Sequence, residues 1–115
     1  MTMRRSSRAW VLAVLLAGGL AVGGSVALAG ATYRVSQKGR AFDPPHLTIA
    51  RGDTVAVQND DAGLLHHVYI EADGFTFDSG EQKSGEIVAV SFPKRGRFDV
   101  LCGIHPKMRL IVDVR

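Results

Sequence analysis

From Tyr33 to Val114 apolar and polar residues alternate with a period of two, and Gly, Pro, Asn or Asp breaks the pattern every few positions. Side chains in an extended chain point alternately to opposite faces, so such a pattern buries one face of a strand and wets the other. No stretch carries the three-to-four-residue spacing of an amphipathic helix. Strands are therefore expected at Tyr33–Gln37, Leu47–Ile49, Thr54–Asn59, His66–Glu71, Glu86–Phe92, Arg97–Leu101 and Arg109–Val114, with Val55 and Val57 sharing one face, as do Val88, Val90 and Phe92. Phe42–Pro45 reads as a proline-restricted extended segment. Ala72–Gly74 and Asp78–Gly85 read as turn-rich stretches on either side of Phe75–Phe77. The expected fold is all-β, a Greek-key β-sandwich or small barrel of about seven to eight strands.

The first residues are of another kind. Arg4, Arg5 and Arg8 precede an apolar run from Ala9 to Ala17, followed by glycines and then Ala27-Leu28-Ala29. A basic start, an apolar middle and an A-x-A site describe a secretory signal peptide. Cleavage is expected after Ala29, with Ala31 as second choice, giving a leader at 1–29 and a single domain at 30–115. Ala9 to Ala31 would just span a bilayer if uncleaved, and Arg4-Arg5 leaves twin-arginine export open beside the general route. The three leader arginines account for the whole formal charge of +3, because eleven Lys/Arg then face eleven Asp/Glu. Neither a nucleic-acid nor a membrane partner follows from the basic balance of the whole chain. Roughly 85 residues remain, a size at which a bound metal helps a small core. One cysteine in an oxidising compartment forms no internal disulfide.

That cysteine stands in Cys102-Gly103-Ile104-His105-Pro106-Lys107-Met108, between two β-like runs. Cys102 ends one strand, His105 lies on the turn and Met108 begins the next, so the three side chains can meet between the strand ends. Thiolate and thioether sulfur favour copper(I), imidazole suits both copper oxidation states, and hard cations gain nothing from sulfur. A second histidine would complete the two-His, one-Cys, weak-Met set of a blue-copper site. His66-His67 supplies it. Alternation puts His66 with Val68 and Ile70 on the apolar face and His67 with Tyr69 and Glu71 on the other, so His66 is the expected ligand. A bulge that slipped the register would present His67 instead. His46 is expected at the surface. One cysteine is too few for a structural zinc site of the Cys₂His₂ or Cys₄ kind. Cys/His nucleophilic catalysis is disfavoured, since no acid accompanies the pair to orient the base.

The segments Phe42 to Val55, Asn59 to Val68, Phe77-Asp78-Ser79-Gly80 and Arg97 to Met108 together resemble a cupredoxin of the plastocyanin/amicyanin group. The last carries the hallmark G-x-[FY]-x-[VY]-x-C-x-x-H-P-x-M, with the short Cys-to-Met loop of amicyanins. The resemblance implies a single type 1 copper ion held by His66, Cys102 and His105 in the equatorial plane and by Met108 axially. It also implies a periplasmic or otherwise extracytoplasmic one-electron shuttle between transient redox protein partners, monomeric and not an enzyme. Copper delivery or storage on the same fold is the alternative, and three methionines in the whole chain argue against it. In the family an Asn usually follows the first ligand, and Ser or Thr often follows the cysteine. Here those positions are His67 and Gly103, so the latch between the two ligand loops is absent or altered, with a more mobile site and a shifted potential expected. Electrons would pass through the outer edge of His105. Leu64, Leu65, Ile104 and Pro106 would form an apolar docking ring around it, and Lys107 and Arg109 a positive rim.

Overall fold

The structure, a computed structural model, describes residues 30–115; the leader expected at 1–29 lies outside them. Nine strands follow in order: β1 (Thr32–Gln37), β2 (Phe42–Asp43), β3 (His46–Ile49), β4 (Thr54–Asn59), β5 (His66–Ala72), β6 (Phe75–Gln82), β7 (Ile87–Ser91), β8 (Gly96–Leu101) and β9 (Arg109–Val114). They form two mixed sheets, one ordered β2-β1-β4-β7 and the other β3-β9-β8-β5-β6. Pairing is parallel between β1 and β4 and between β3 and β9, and antiparallel elsewhere.

Alternation does what it should. In β4 the residues Val55, Val57 and Asn59 turn inward, and in β9 Leu110, Val112 and Val114 do so. The two inner faces meet in a core that includes Val35, Ile49, Val68, Ile70, Val90, Val100 and Phe92. Phe75, Phe92 and Phe98 pack edge-on or tilted within it, with ring centroids 5.4–5.9 Å apart.

The strand count exceeds the expectation for two reasons. Phe42–Asp43 adds a two-residue edge pairing to the end of β1. Of the stretches expected to be turn-rich, Asp73–Gly74 and Ser84–Gly85 do turn, but Asp78–Gln82 instead continues β6, which runs from Phe75 through Gln82. Asp78, Ser79 and Gly80 are turn formers by intrinsic preference, and β6 accommodates them as a bulge at a sheet edge. Pairing runs Tyr69↔Asp78 and then His67↔Glu81, so Ser79 and Gly80 lie opposite Val68 alone. Gly80 takes φ +69° there, and the Val68 N–H donates to Ser79 Oγ at 2.9 Å.

Topology sets where the chemistry can go. Strands β5 and β8 are antiparallel neighbours paired at Tyr69↔Leu101, so the start of β5 and the end of β8 reach the same end of the sandwich. His66 is the first residue of β5, and Cys102 immediately follows β8. The connection from β8 to β9 then caps that end.

Candidate metal centre

His66 opens β5 facing the core and is fully buried. The inward set is His66, Val68 and Ile70, with His67 and Tyr69 half-buried on the other side. The bulge in the β5–β6 pairing falls on β6 and leaves that alternation intact. Cys102 is buried. His105 is partly exposed on the loop, and Met108 is buried, its backbone N–H donating to the His105 carbonyl at 2.9 Å. That bond closes the loop into a tight turn and returns the chain to β9.

Two distances define the centre. Cys102 Sγ lies 3.9 Å from His66 Nδ1 and 3.7 Å from His105 Nδ1. The three donor atoms all fall within 4.8 Å of one another. The imidazoles meet edge to face at 4.9 Å between centroids. An ion bonded at about 2.0 Å to nitrogen and about 2.3 Å to thiolate, with trigonal angles, would hold N and S ~3.7 Å apart. The observed separations fit one small ion among all three. His46 stands apart on the surface, paired with Asp113 at 2.6 Å.

The tautomer of His66 is set by a neighbour that no motif singles out. Its Nε2–H donates to Asp61 Oδ2 at 2.7 Å, which leaves the Nδ1 lone pair facing Cys102. Asp61 is itself held by the β1–β2 turn: Gly39 N–H donates to Oδ1 at 2.7 Å and Arg40 N–H to Oδ2 at 3.1 Å. Consecutive N–H groups converging on one anion form a backbone nest. Both residues have positive φ, and Arg40 at +53° is the one non-glycine residue with positive φ among those described. Burial opposes ionisation of Asp61, but the bonds from Gly39, His66 and Arg40 outweigh it and hold the carboxyl at about 2. An ionised carboxylate that orients a ligating imidazole fixes its ring and raises its basicity. Burial lowers the pKa of His105, and the charges of His66 and Arg40 lower it further. The neutral form, which can ligate, is favoured.

The position after His66 is also occupied in an unforeseen way. His67 Nε2–H donates to Asp78 Oδ1 at 2.6 Å, and its ring stacks on Tyr69 at 5.2 Å. The Nδ1 edge of that ring lies over Gly103, where an added Cβ would come within 2.5 Å of it. The latch expected from an Asn is altered, and the two segments still touch. Of the residues expected in an apolar ring, Leu65 and Ile104 are about two-fifths exposed and Leu64 less so. Arg40, Ile104, Pro106 and Lys107 line a shallow depression with His105. Arg109 points elsewhere and pairs with Asp99 at 3.0 Å.

No family profile and no curated protein matches the chain. Solved structures do. A Cu-containing nitrite reductase from Thermus scotoductus SA-01 aligns at 28% identity and TM-score 0.68 over 80% of this chain, which spans only 24% of that one. Amicyanin from Paracoccus versutus aligns at 25% identity and TM-score 0.66, covering 73% of this chain and 81% of its own. A purple cupredoxin from Nitrosopumilus maritimus aligns at 22% identity and TM-score 0.63, covering 72% and 99%. With these likenesses and the strand order described above, the chain has the cupredoxin fold.

Proposed function

We propose that this protein is an exported electron carrier whose His66, Cys102, His105 and Met108 would hold one copper ion. The observation that carries the reading is the approach of both imidazole Nδ1 atoms to within 3.9 Å of the Cys102 sulfur at a buried strand end. Soft sulfur beside two imidazoles selects copper over hard cations, and the first of the structures above is a copper protein by name. Bound copper supplies a one-electron couple. The residues of the chain do the rest: Asp61 presents His66 as an Nδ1 donor, burial keeps His105 neutral, and Cys102 is shielded from oxidants. The donors are preset on strand ends of the sandwich, so an ion held there would change oxidation state with little rearrangement of the chain.

Electrons leave and arrive through His105, the donor nearest solvent. Leu65, Ile104 and Pro106 offer a small apolar contact around it, of the size that suits a brief encounter. Lys107 and Arg40 add positive charge beside it, and Arg109, tied to Asp99, takes no part. Partners are redox proteins with acidic patches, met at a salt-dependent rate. Residues 1–29 act as the export signal, and 30–115 are the working domain.

The test is the visible spectrum of the copper-loaded protein. An intense thiolate-to-copper band is expected in the parent and none in Cys102→Ser. A serine variant with the same colour refutes the assignment. Reversible one-electron voltammetry with slow copper exchange marks a carrier, whereas rapid copper(I) transfer to a chelator marks a delivery protein.

A further inference from the structure

The strands that bring His66 and Cys102 together are joined by little backbone. Strands β5 and β8 pair at one position, Tyr69↔Leu101. From there to the metal centre the two chains run on without a further rung. What spans the interval is the His67 side chain. Its ring covers Gly103, the residue next to Cys102, while its far nitrogen is held by Asp78 on β6 and its face rests on Tyr69.

We propose that His67, Asp78 and Gly103 form a clasp that positions the Cys102 sulfur against His66, with Gly103 required as the seat of the ring. This rests on the copper reading above and deepens it. His67 touches no donor atom of the centre; it acts through the peptide that follows Cys102, and is a positioning residue. An added Cβ at Gly103 would lie 2.5 Å from His67 Nδ1 and 3.1 Å from Cε1. The ring cannot swing away cheaply, because Asp78 and Tyr69 fix two of its sides. His67 and Gly103 are therefore one device, in which a large residue at one position demands the smallest at the other. The clasp lies at the surface, with the His67 side chain 21% and that of Asp78 70% exposed. The ring is on the face of β5 turned away from the core, so the core residues keep their packing when it is removed.

The experiment compares the full chain with His67→Ala, Gly103→Ala, the double variant and Asp78→Ala. In the metal-free proteins, Gly103→Ala should lower the urea midpoint in the parent and change it little once His67 is alanine, because the clash has gone. In the copper-loaded proteins, His67→Ala should shift the charge-transfer band and the reduction potential. It should also release copper to a chelator about tenfold faster, the lower end of what loss of an outer-shell support costs. Asp78→Ala, which removes the anchor of the ring but leaves the ring itself over Gly103, should move all three in the same direction by less. Additive midpoints would overturn the proposal, as would an unchanged band, potential and release rate in His67→Ala. If the parent fails to bind copper, the functional reading falls, while coupling between Gly103 and His67 in the metal-free proteins still decides whether the clasp exists.

Discussion

Replacing Asp61 with Asn should weaken both the fold and its grip on metal, and the size of the effect can be worked from its contacts. The carboxylate accepts from Gly39 N–H through Oδ1 and from Arg40 N–H and His66 Nε2–H through Oδ2. An amide has one oxygen, so Asn either faces an N–H₂ toward Gly39 or toward both other donors. The first is the lesser conflict. It loses the Gly39 bond, which water at this exposed turn restores, and removes the charge from the remaining two. Charge-assisted bonds exceed neutral ones by roughly 1 kcal/mol each, which gives about 2 kcal/mol. A second route agrees: a carboxyl at about 2 instead of 3.8 favours its ionised form by roughly 2 kcal/mol at ~1.36 kcal/mol per pKa unit. Screening by water at the rim of the loop brings the expectation to about 1–2 kcal/mol. Asp61→Ala should cost more, because the fully buried His66 then keeps an unpaired N–H, worth about 1–3 kcal/mol. Urea unfolding of the metal-free proteins measures both, and competition with a chelator should show copper affinity down by about 10- to 100-fold. An Asp61→Ala protein within 0.5 kcal/mol (about the scatter of surface substitutions) of the parent would refute the account of how His66 is held.

Other perturbations separate core, surface and axial contributions. Phe92→Ala removes a fully buried ring packed on Phe75 and Phe98 and should cost ~3–5 kcal/mol; urea unfolding showing a loss under about 1 kcal/mol would contradict that packing. Arg97, and after it His46, holds the Asp113 carboxyl below its ordinary 3.8. Folding thus favours the ionised form, and its stabilisation is complete above 3.8 and disappears as pH falls through the lowered folded value. Asp113→Asn should accordingly be less stable at neutral pH and lose less stability on acidification, as followed by unfolding midpoints across that range. Met108→Leu keeps an apolar side chain of similar volume but no sulfur. If Met108 is the weak donor proposed above, the charge-transfer band should persist while voltammetry reads a higher potential.

Much of the centre is legible in the chain because it depends on local order. Alternation along β5 turns His66 inward without any knowledge of its neighbours, and the spacing of Cys102 and His105 brings both donors together on one loop. The hidden parts are contacts between segments far apart in sequence. Nothing in Asn59-Asp60-Asp61 marks the third residue as the one that meets a nest at Gly39 and Arg40, because the nest exists only once the β1–β2 turn takes two positive φ values. His67 and Gly103 each look like an ordinary departure from a family pattern, and only their apposition shows a ring seated on a glycine. Strand β6 was obscured by its own composition: Asp78-Ser79-Gly80 prefers to turn, and pairing with β5 overrides that preference through a bulge.

The parallel partnership of β3 with β9 has a consequence for assembly. Strand β9 aligns His46 with Ile111 and Ile49 with Val114, joining the first part of the domain to its last residues. Contacts so remote in sequence close a long loop and are slow to form. Until β9 pairs with β3 and β8, the loop that carries His105 is not returned to the sandwich. On the proposed reading, copper is a guest for the finished sandwich, admitted once β9 has closed against β3 and β8.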